Sequence, residues 1–187
     1  MLMLGIINSN PFLRSIIMTT ANEKILTALR TAMEAEMTGH HFYKNAAATT
    51  EDVQGKATFE RLAEEELLHF NYLKKQYGSI LDTGDFNFSI PLAAGPNAEV
   101  SGPIFSSQLK ARIKQSHFEV SALSVGMQLE LNAVNFYRQC AEESDNPEVK
   151  AFFNHLVKWE QGHYDGFAQE LESLKEDYWQ ANNFVPM

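Results

Sequence analysis

The sequence repeats at a displacement of 94 residues, and the repeat is built on charged side chains. Glu36 falls on Glu130, Glu66 on Glu160 and His69 on His163. In each half the first glutamate precedes the second by 30 residues, and the histidine follows three residues later. A three-residue step on a helix stacks two side chains on one face. Apolar residues keep the same register: Met33 with Met127, Phe42-Tyr43 with Phe136-Tyr137, Phe59 with Phe153, Leu62 with Leu156. One Glu-x-x-His is weak evidence, because both residues are common in helices. Two of them, each in register with a further Glu and a Phe-Tyr pair, constrain the chain to two alike helical hairpins. Such hairpins pack about a pseudo-twofold axis and bring four carboxylates and two imidazoles to the centre.

Size permits this. The 187 residues suffice for one domain with a real core. The net charge of −9 argues against a nucleic-acid partner, which needs a basic face. No run of about 18 apolar residues is present, so no membrane span is expected. A lone cysteine, Cys140, forms neither an internal disulfide nor a cysteine-rich metal site, and fits a cytoplasmic setting.

Four long helices are predicted. Residues 1–20 read as an N-terminal tail without the basic start of a secretory signal. The first helix is expected from about Ala21, on a Thr20/Glu23 capping box, to Ala48. Its inward stripe is Ile25, Leu29, Ala32 or Met33, Glu36, Tyr43 and Ala47. The second runs from about Glu51 to Tyr77, stopped by Gly78, with Phe59, Leu62, Glu66, His69 and Leu73 inward. Glycines and prolines then punctuate residues 78–106. A loop that long has a geometric reason if the second and third helices run parallel. The chain must then travel back along the bundle, roughly 40 Å for a helix of about 27 residues. Asp85 to Ile90 alternates and is expected to be extended. The third helix starts at Ser107 or Ser116 and ends at Glu143, with Leu123, Met127, Glu130, Val134, Tyr137 and Ala141 inward. After a Ser144-Asp145-Asn146 turn, the fourth runs from Pro147 to about Trp179. It turns Val149, Phe153, Leu156, Glu160, His163, Phe167 and Leu174 inward. The prediction is an all-α antiparallel four-helix bundle over 21–180, with one long crossover at about 78–106 and a peripheral tail at 181–187.

The polar residues on these stripes stand where apolar ones belong. Burying an ion costs several kcal/mol even after relaxation, roughly. Two divalent cations neutralise four carboxylates, and each takes one imidazole. The expected metal ligands, and the expected catalytic residues, are therefore Glu36, Glu66, His69, Glu130, Glu160 and His163. Mixed oxygen and nitrogen donors suit iron or manganese, with zinc an alternative. The plainer reading is a set of buried salt bridges or solvent-facing residues. Tyr43 and Tyr137 lie seven residues after Glu36 and Glu130, on the same face. They either hydrogen-bond the ligand carboxylates or serve as core aromatics. His40 reads as a core-edge histidine and His41 as exposed. Glu34, Glu64 and Glu65 fall on Gln128, Lys158 and Trp159 in the repeat, which places them outside the site. Cys140 reads as a packing residue.

The strings Glu34-Ala35-Glu36-Met37-Thr38-Gly39-His40-His41-Phe42-Tyr43 and Leu62-Ala63-Glu64-Glu65-Glu66-Leu67-Leu68-His69 resemble the rubrerythrin branch of the ferritin-like superfamily. So do Gln128-Leu129-Glu130 through Phe136-Tyr137, and Glu160-Gln161-Gly162-His163. The resemblance spans about Ala21 to Trp179. It implies a ferritin-like bundle with two iron ions that reduces hydrogen peroxide or dioxygen. It also implies that Glu66 and Glu160 bridge the metals, that Glu36 and Glu130 are terminal, and that His69 and His163 take one metal each. Three departures follow. The four-cysteine rubredoxin domain of rubrerythrin proper is not found in these residues, so a separate electron-donor protein is expected. The extra glutamate that rubrerythrins carry one turn after the third-helix ligand is replaced by Ala133, with Gly39 as its repeat mate. This puts their redox-linked ligand exchange in doubt. Bacterioferritin has a haem-binding methionine where Leu67 stands, so no haem is expected.

The leading expectation is a di-iron peroxidase or oxidase acting in oxidative stress. Alternatives are iron storage with ferroxidase activity, a manganese catalase-like centre, and a bundle that holds metal only for stability. A homodimer is the expected assembly.

Overall fold

The computed structural model describes residues 11–90, 102–111 and 116–181. Of the expected tails at 1–20 and 181–187, residues 1–10 and 182–187 lie outside these, as do residues 91–101 of the crossover. Among the described residues the elements are α1 (Pro11–Thr49), α2 (Val53–Thr83), a short α3 (Ser107–Ala111), α4 (His117–Glu143) and α5 (Pro147–Ala181). The class is as expected: all-α, ferritin-like.

Helix ends differ from expectation in ways the chain explains. The first helix begins at Pro11, not at Ala21. No glycine or proline lies between Phe12 and Thr38, and Pro11 suits a first helical position. Thr20 therefore has no free helix end to cap. The second helix runs through Gly78 and stops at Gly84, whose φ of 82° is the left-handed conformation glycine adopts without strain. An internal glycine costs only about 1 kcal/mol, and Ile80 beyond it is buried in the core. The N-cap of α2 is Asp52, whose side chain accepts from the Gly55 amide. Both candidate starts for the third helix are used: Ser107 opens α3 and Ser116 precedes α4. Asn146 Oδ1 accepts from the amides of Glu148 and Val149 and caps α5.

Helix directions follow from side-chain pairings. Tyr43 on α1 meets Glu130 on α4, and Tyr137 on α4 meets Glu36 on α1, so these helices run antiparallel. The pairs Glu65 with His163 and His69 with Trp159 show the same for α2 and α5. Since the short turn after Thr49 reverses the chain between α1 and α2, α2 and α4 run parallel. That is the geometry that requires the long crossover.

The crossover is pinned by another pair of repeat mates. Gln76 on α2 donates to the Asn87 carbonyl and accepts from the Asn87 amide. Its mate Glu170 on α5 accepts from the amides of Ile104 and Phe105, and Lys110 lies 3.3 Å away. Both side chains are buried. This anchoring corrects the extended reading of Asp85 to Ile90. The segment folds into turns around Asn87, and Phe86 packs on Phe152.

Two apolar clusters cap the bundle centre. One holds Tyr43, Phe59, Leu62, Leu123 and Phe167. The other holds Tyr137, Phe153, Leu156, Leu29 and Leu73, the repeat mates in the same order. Tyr43 stacks on Phe59 at 6.4 Å, and Tyr137 on Phe153 at 6.3 Å. The pseudo-twofold axis thus exchanges the clusters, and the charged residues lie between them. No helix among the described residues is long and apolar enough to cross a membrane.

Candidate metal centre

All six repeat-related residues are buried at the centre of the bundle. The step of 30 residues in each half carries the chain up one helix, round the turn and back to the same level. Donor atoms of Glu36, Glu66 and His69 lie within 4.8 Å of one another, as do those of Glu66, Glu130, Glu160 and His163.

The carboxylates divide into two kinds. Glu160 places Oε1 3.3 Å from His69 Nδ1 and Oε2 3.6 Å from His163 Nδ1. Glu66 does likewise, with Oε2 3.9 Å from His69 Nδ1 and Oε1 3.8 Å from His163 Nδ1. Each therefore spans both imidazoles. Glu36 Oε2 lies 3.3 Å from His69 Nδ1 alone, and Glu130 Oε2 lies 3.7 Å from His163 Nδ1 alone.

The tyrosines take the hydrogen-bonding role. Tyr43 donates to Glu130 Oε1 and Tyr137 donates to Glu36 Oε1, each across the α1–α4 interface. Both hydroxyls are fully buried. Burial first, and then the facing carboxylate charge, push their pKa well above 10. Each stays protonated and fixes one carboxylate oxygen, so that the other faces an imidazole: Glu36 Oε2 toward His69 and Glu130 Oε2 toward His163.

Glu65 corrects an expectation. It lies inside the site: Glu65 Oε2 accepts from His163 Nε2 at 3.0 Å, while Arg61 donates to its other oxygen at 2.8 Å. Burial opposes its charge, but the His163 hydrogen bond and Arg61 outweigh burial and hold its carboxyl below the usual range. With Nε2 committed to Glu65, His163 turns Nδ1 toward the carboxylates. The repeat comparison hid Glu65, because its mate is Trp159. Helical spacing could have found it: Leu62, Glu65, His69, Tyr72 and Gln76 form one buried series. Trp159, also missed, stacks on His69 at 4.2 Å and 16°.

Other assignments stand as expected. His40 Nδ1 donates to the Ala63 carbonyl at 2.7 Å, so it is a core-edge histidine. His41, Glu34 and Glu64 are exposed. Cys140 is half-buried and packs on the second cluster, with burial lifting its thiol to about 11.

The electrostatics of the cluster are those of like charges crowded in a buried space. Burial, then the charges of Glu130 and Glu36, raise the Glu66 pKa well above normal. Glu130 rises to about 7: burial and Glu160 lift it further than His163 lowers it. Burial disfavours charge on His69, yet Glu36 and Glu160 raise it to about 9. His163 is raised well above 6.5 against burial by Glu130, Glu160 and Glu65. Glu160 alone falls well below the carboxylate range, because the imidazoles overcome its burial. Even so, Glu160 Oε1 and His163 Nδ1 are buried without a hydrogen-bond partner. Orphaned buried polar atoms are costly, by about 1–3 kcal/mol each. Hard carboxylate oxygens and imidazole nitrogens gathered within 4.8 Å, two of these atoms without a hydrogen-bond partner, suit two divalent cations, so the residues fit a metal pair.

Fold and site together define a ferritin-like helical bundle with a central carboxylate–histidine cluster that could hold metal. The rubrerythrin family model matches residues 27–171, and the chain belongs to that family. Members of the family bind two irons. Neither the curated proteins nor the solved structures compared with the chain gave a match.

Proposed function

We propose that this protein reduces hydrogen peroxide, or dioxygen, at a pair of ferrous ions held by Glu36, Glu66, His69, Glu130, Glu160 and His163. The observation that carries the reading is the division of the carboxylates. Glu66 and Glu160 span both imidazoles, and Glu36 and Glu130 each approach one. In this reading Glu66 and Glu160 would be shared by the two ions, Glu36 with His69 would hold one, and Glu130 with His163 would hold the other. When bound, the ion pair supplies two electrons together, the number that cleaving one O–O bond consumes.

The chain's own residues hold the geometry while charge at the centre changes. Tyr43 and Tyr137 anchor one oxygen of each terminal carboxylate, so that only the other can swing. Glu65 keeps the His163 proton on Nε2 and its lone pair on Nδ1. The two apolar clusters keep bulk water away from both ends of the site. Electrons then come from a separate donor protein.

Anaerobic loading with Fe(II), followed by hydrogen peroxide or dioxygen in separate stopped-flow runs, tests this. The expected result is two irons per chain, oxidised faster by peroxide. Oxidation that continues beyond two irons per chain points to storage instead. Failure to bind two metals would overturn the assignment of the six ligands.

A further inference from the structure

The carboxylates form the floor of a cleft much larger than peroxide needs. A cavity of about 320 Å³ opens between α1 and α4, with Glu36, Glu66, Glu130, Glu160 and Tyr137 at its base. One water occupies about 30 Å³ of liquid, and hydrogen peroxide needs no more than about twice that. A volume of about 300 Å³ is instead the lower end of the range for small organic ligands.

Two small residues help leave this space, and they are repeat mates. Gly39 and Ala133 both line the cleft. A Cβ on Gly39 would come within 3.2 Å of Glu66 Cδ, so a larger residue there would press on the floor. Ala133 presents only a methyl group. Above the carboxylates the wall is apolar, formed by Leu129, Ala133 and Phe136 of α4 and by Ala35 of α1. The rim is exposed at Thr31, Ala35, Thr38 and Asn132, so a ligand can enter from solvent. An apolar wall holds water poorly, because water there lacks polar partners.

We propose that the cleft accepts the organic group of an organic hydroperoxide, ROOH, with its O–O end on the carboxylate floor and its carbon group against Leu129, Ala133 and Phe136. This rests on the peroxide-reducing reading above and specifies its substrate class. The reaction balances as ROOH plus two electrons plus two protons giving ROH and H2O. The O–O bond breaks and the C–O bond survives. The two electrons are those of the ferrous pair, and the protons come from water at the open rim. Alcohol and water leave by the same opening. A compact peroxide uses only the floor, whereas an organic one also gains the apolar wall.

The binding test needs no turnover. Protein loaded with redox-inactive Zn(II) and labelled with 13C at methyl groups is titrated with 2-phenyl-2-propanol, the alcohol formed from cumene hydroperoxide. Shifts confined to the Thr31, Ala35, Leu129 and Ala133 methyls, lost in Ala133→Leu, are the expected result. With Fe(II)-loaded protein in single-turnover stopped-flow runs, the ratio of the second-order rate constant of iron oxidation by cumene hydroperoxide to that by hydrogen peroxide should fall at least about tenfold in the same variant, the scale a few methylenes command in an apolar pocket. Ala35→Phe narrows the rim from the other helix and should act the same way if Ala133→Leu fails to fold. Absence of cleft shifts, or a ratio unchanged in the variants, overturns the proposal. Cleft binding in a protein that reduces no peroxide would instead overturn the functional reading and leave an organic-ligand site.

Discussion

His163 and His69 are related by the repeat, yet they are held differently. Behind His163 stands Glu65, buried, accepting from Nε2 and tied to Arg61. At the equivalent position behind His69 stands Trp159, whose indole lies flat on the ring at 4.2 Å. Among the described residues no carboxylate backs His69 from that side. A carboxylate that accepts from the far nitrogen makes an imidazole a stronger donor and fixes its tautomer. An indole face fixes the plane of the ring and leaves its basicity to the carboxylates in front. The pseudo-twofold therefore governs which atoms meet at the centre, and the residues one position away make the two ends chemically unlike. Two metals bound here should differ in affinity, with the His163 end the tighter.

The largest effect should come from the carboxylates that the two ends share, because they erase the comparison. Glu160 is the one member of the cluster held firmly ionised by both imidazoles. Glu160→Ala should cut metal binding at both ends by more than about 100-fold, beyond the cost usual for an outer-sphere change. Elemental analysis after desalting should find well under one ion per chain. The comparison sharpens with Glu65→Gln, which keeps the shape and removes the charge. That variant should weaken one of two sites by about 10–100-fold. Trp159→Leu should leave both within a few-fold of wild type. Competition titrations with Co(II) and a chromophoric chelator read both; equal losses in the two variants would mean that the ends are not distinguished in this way.

Protons are the metals' competitors, and the metal-free protein should reveal them. His69 titrates near 9 when folded and at about 6.5 unfolded. The stability its charge contributes is complete below about 6.5 and disappears as pH rises through about 9. Glu130 keeps its proton to about 7, whereas the unfolded carboxyl loses it near 4.5. Between those values the unfolded chain binds fewer protons, so stability again falls with rising pH. Glu160 and Glu65 act in the opposite sense. Their low pKa values contribute stability above the carboxylate range that is lost only on acidification. Between about pH 5 and 9 the balance is one-sided. The metal-free protein should melt several degrees lower at pH 9 than at pH 6, and the loaded protein should not. Loading at pH 6 should release protons, measurable as a dependence of calorimetric heat on buffer. A metal-free melting temperature that rises toward pH 9 would contradict the assignment.

Much of this was legible in the sequence, for a definite reason. Glu36, Glu66, Glu130 and Glu160 interrupt apolar stripes at helical spacing, and a periodic pattern survives small errors in helix ends. The ends themselves were harder. Gly78 and Thr20 are genuine local signals for a stop and a start, but the apolar series runs past both, at Ile80 and through the stretch before Ala21. At Gly78 the burial of Ile80 outweighs the roughly 1 kcal/mol that one internal glycine costs, and between Pro11 and Ala21 no glycine or further proline interrupts the helix. Asp85 to Ile90 alternates like a strand, yet no neighbouring strand exists among the described residues to pair with it, and Gln76 captures Asn87 instead. Glu65 is visible in the helical period of α2 but not in the repeat. Its mate Trp159 looked unrelated to metal chemistry, although both support an equivalent histidine. Divergence between mates is where a duplicated site becomes specialised, so the repeat marks the six central residues and hides the side chains that stand behind them.

The smallest effect should come from the pair that the repeat has kept identical. Tyr43 and Tyr137 make the same contact, each donating across the α1–α4 interface to the first glutamate of the opposite half, Glu130 and Glu36 respectively. Each ring also stacks on an equivalent phenylalanine, Phe59 or Phe153, so losing the hydroxyl leaves the packing in place. Tyr43→Phe and Tyr137→Phe should each lower stability by about 1–3 kcal/mol, the cost of a buried hydrogen bond to a charged acceptor. The two losses should agree within about 0.5 kcal/mol by urea denaturation, and they should add in the double variant, since the hydroxyls serve different carboxylates. Unequal losses would place the asymmetry of the site in its inner ligands as well as behind its histidines. That outcome would also weaken the reason for expecting the tighter metal at the His163 end, because Glu65 would no longer be the main feature separating the two.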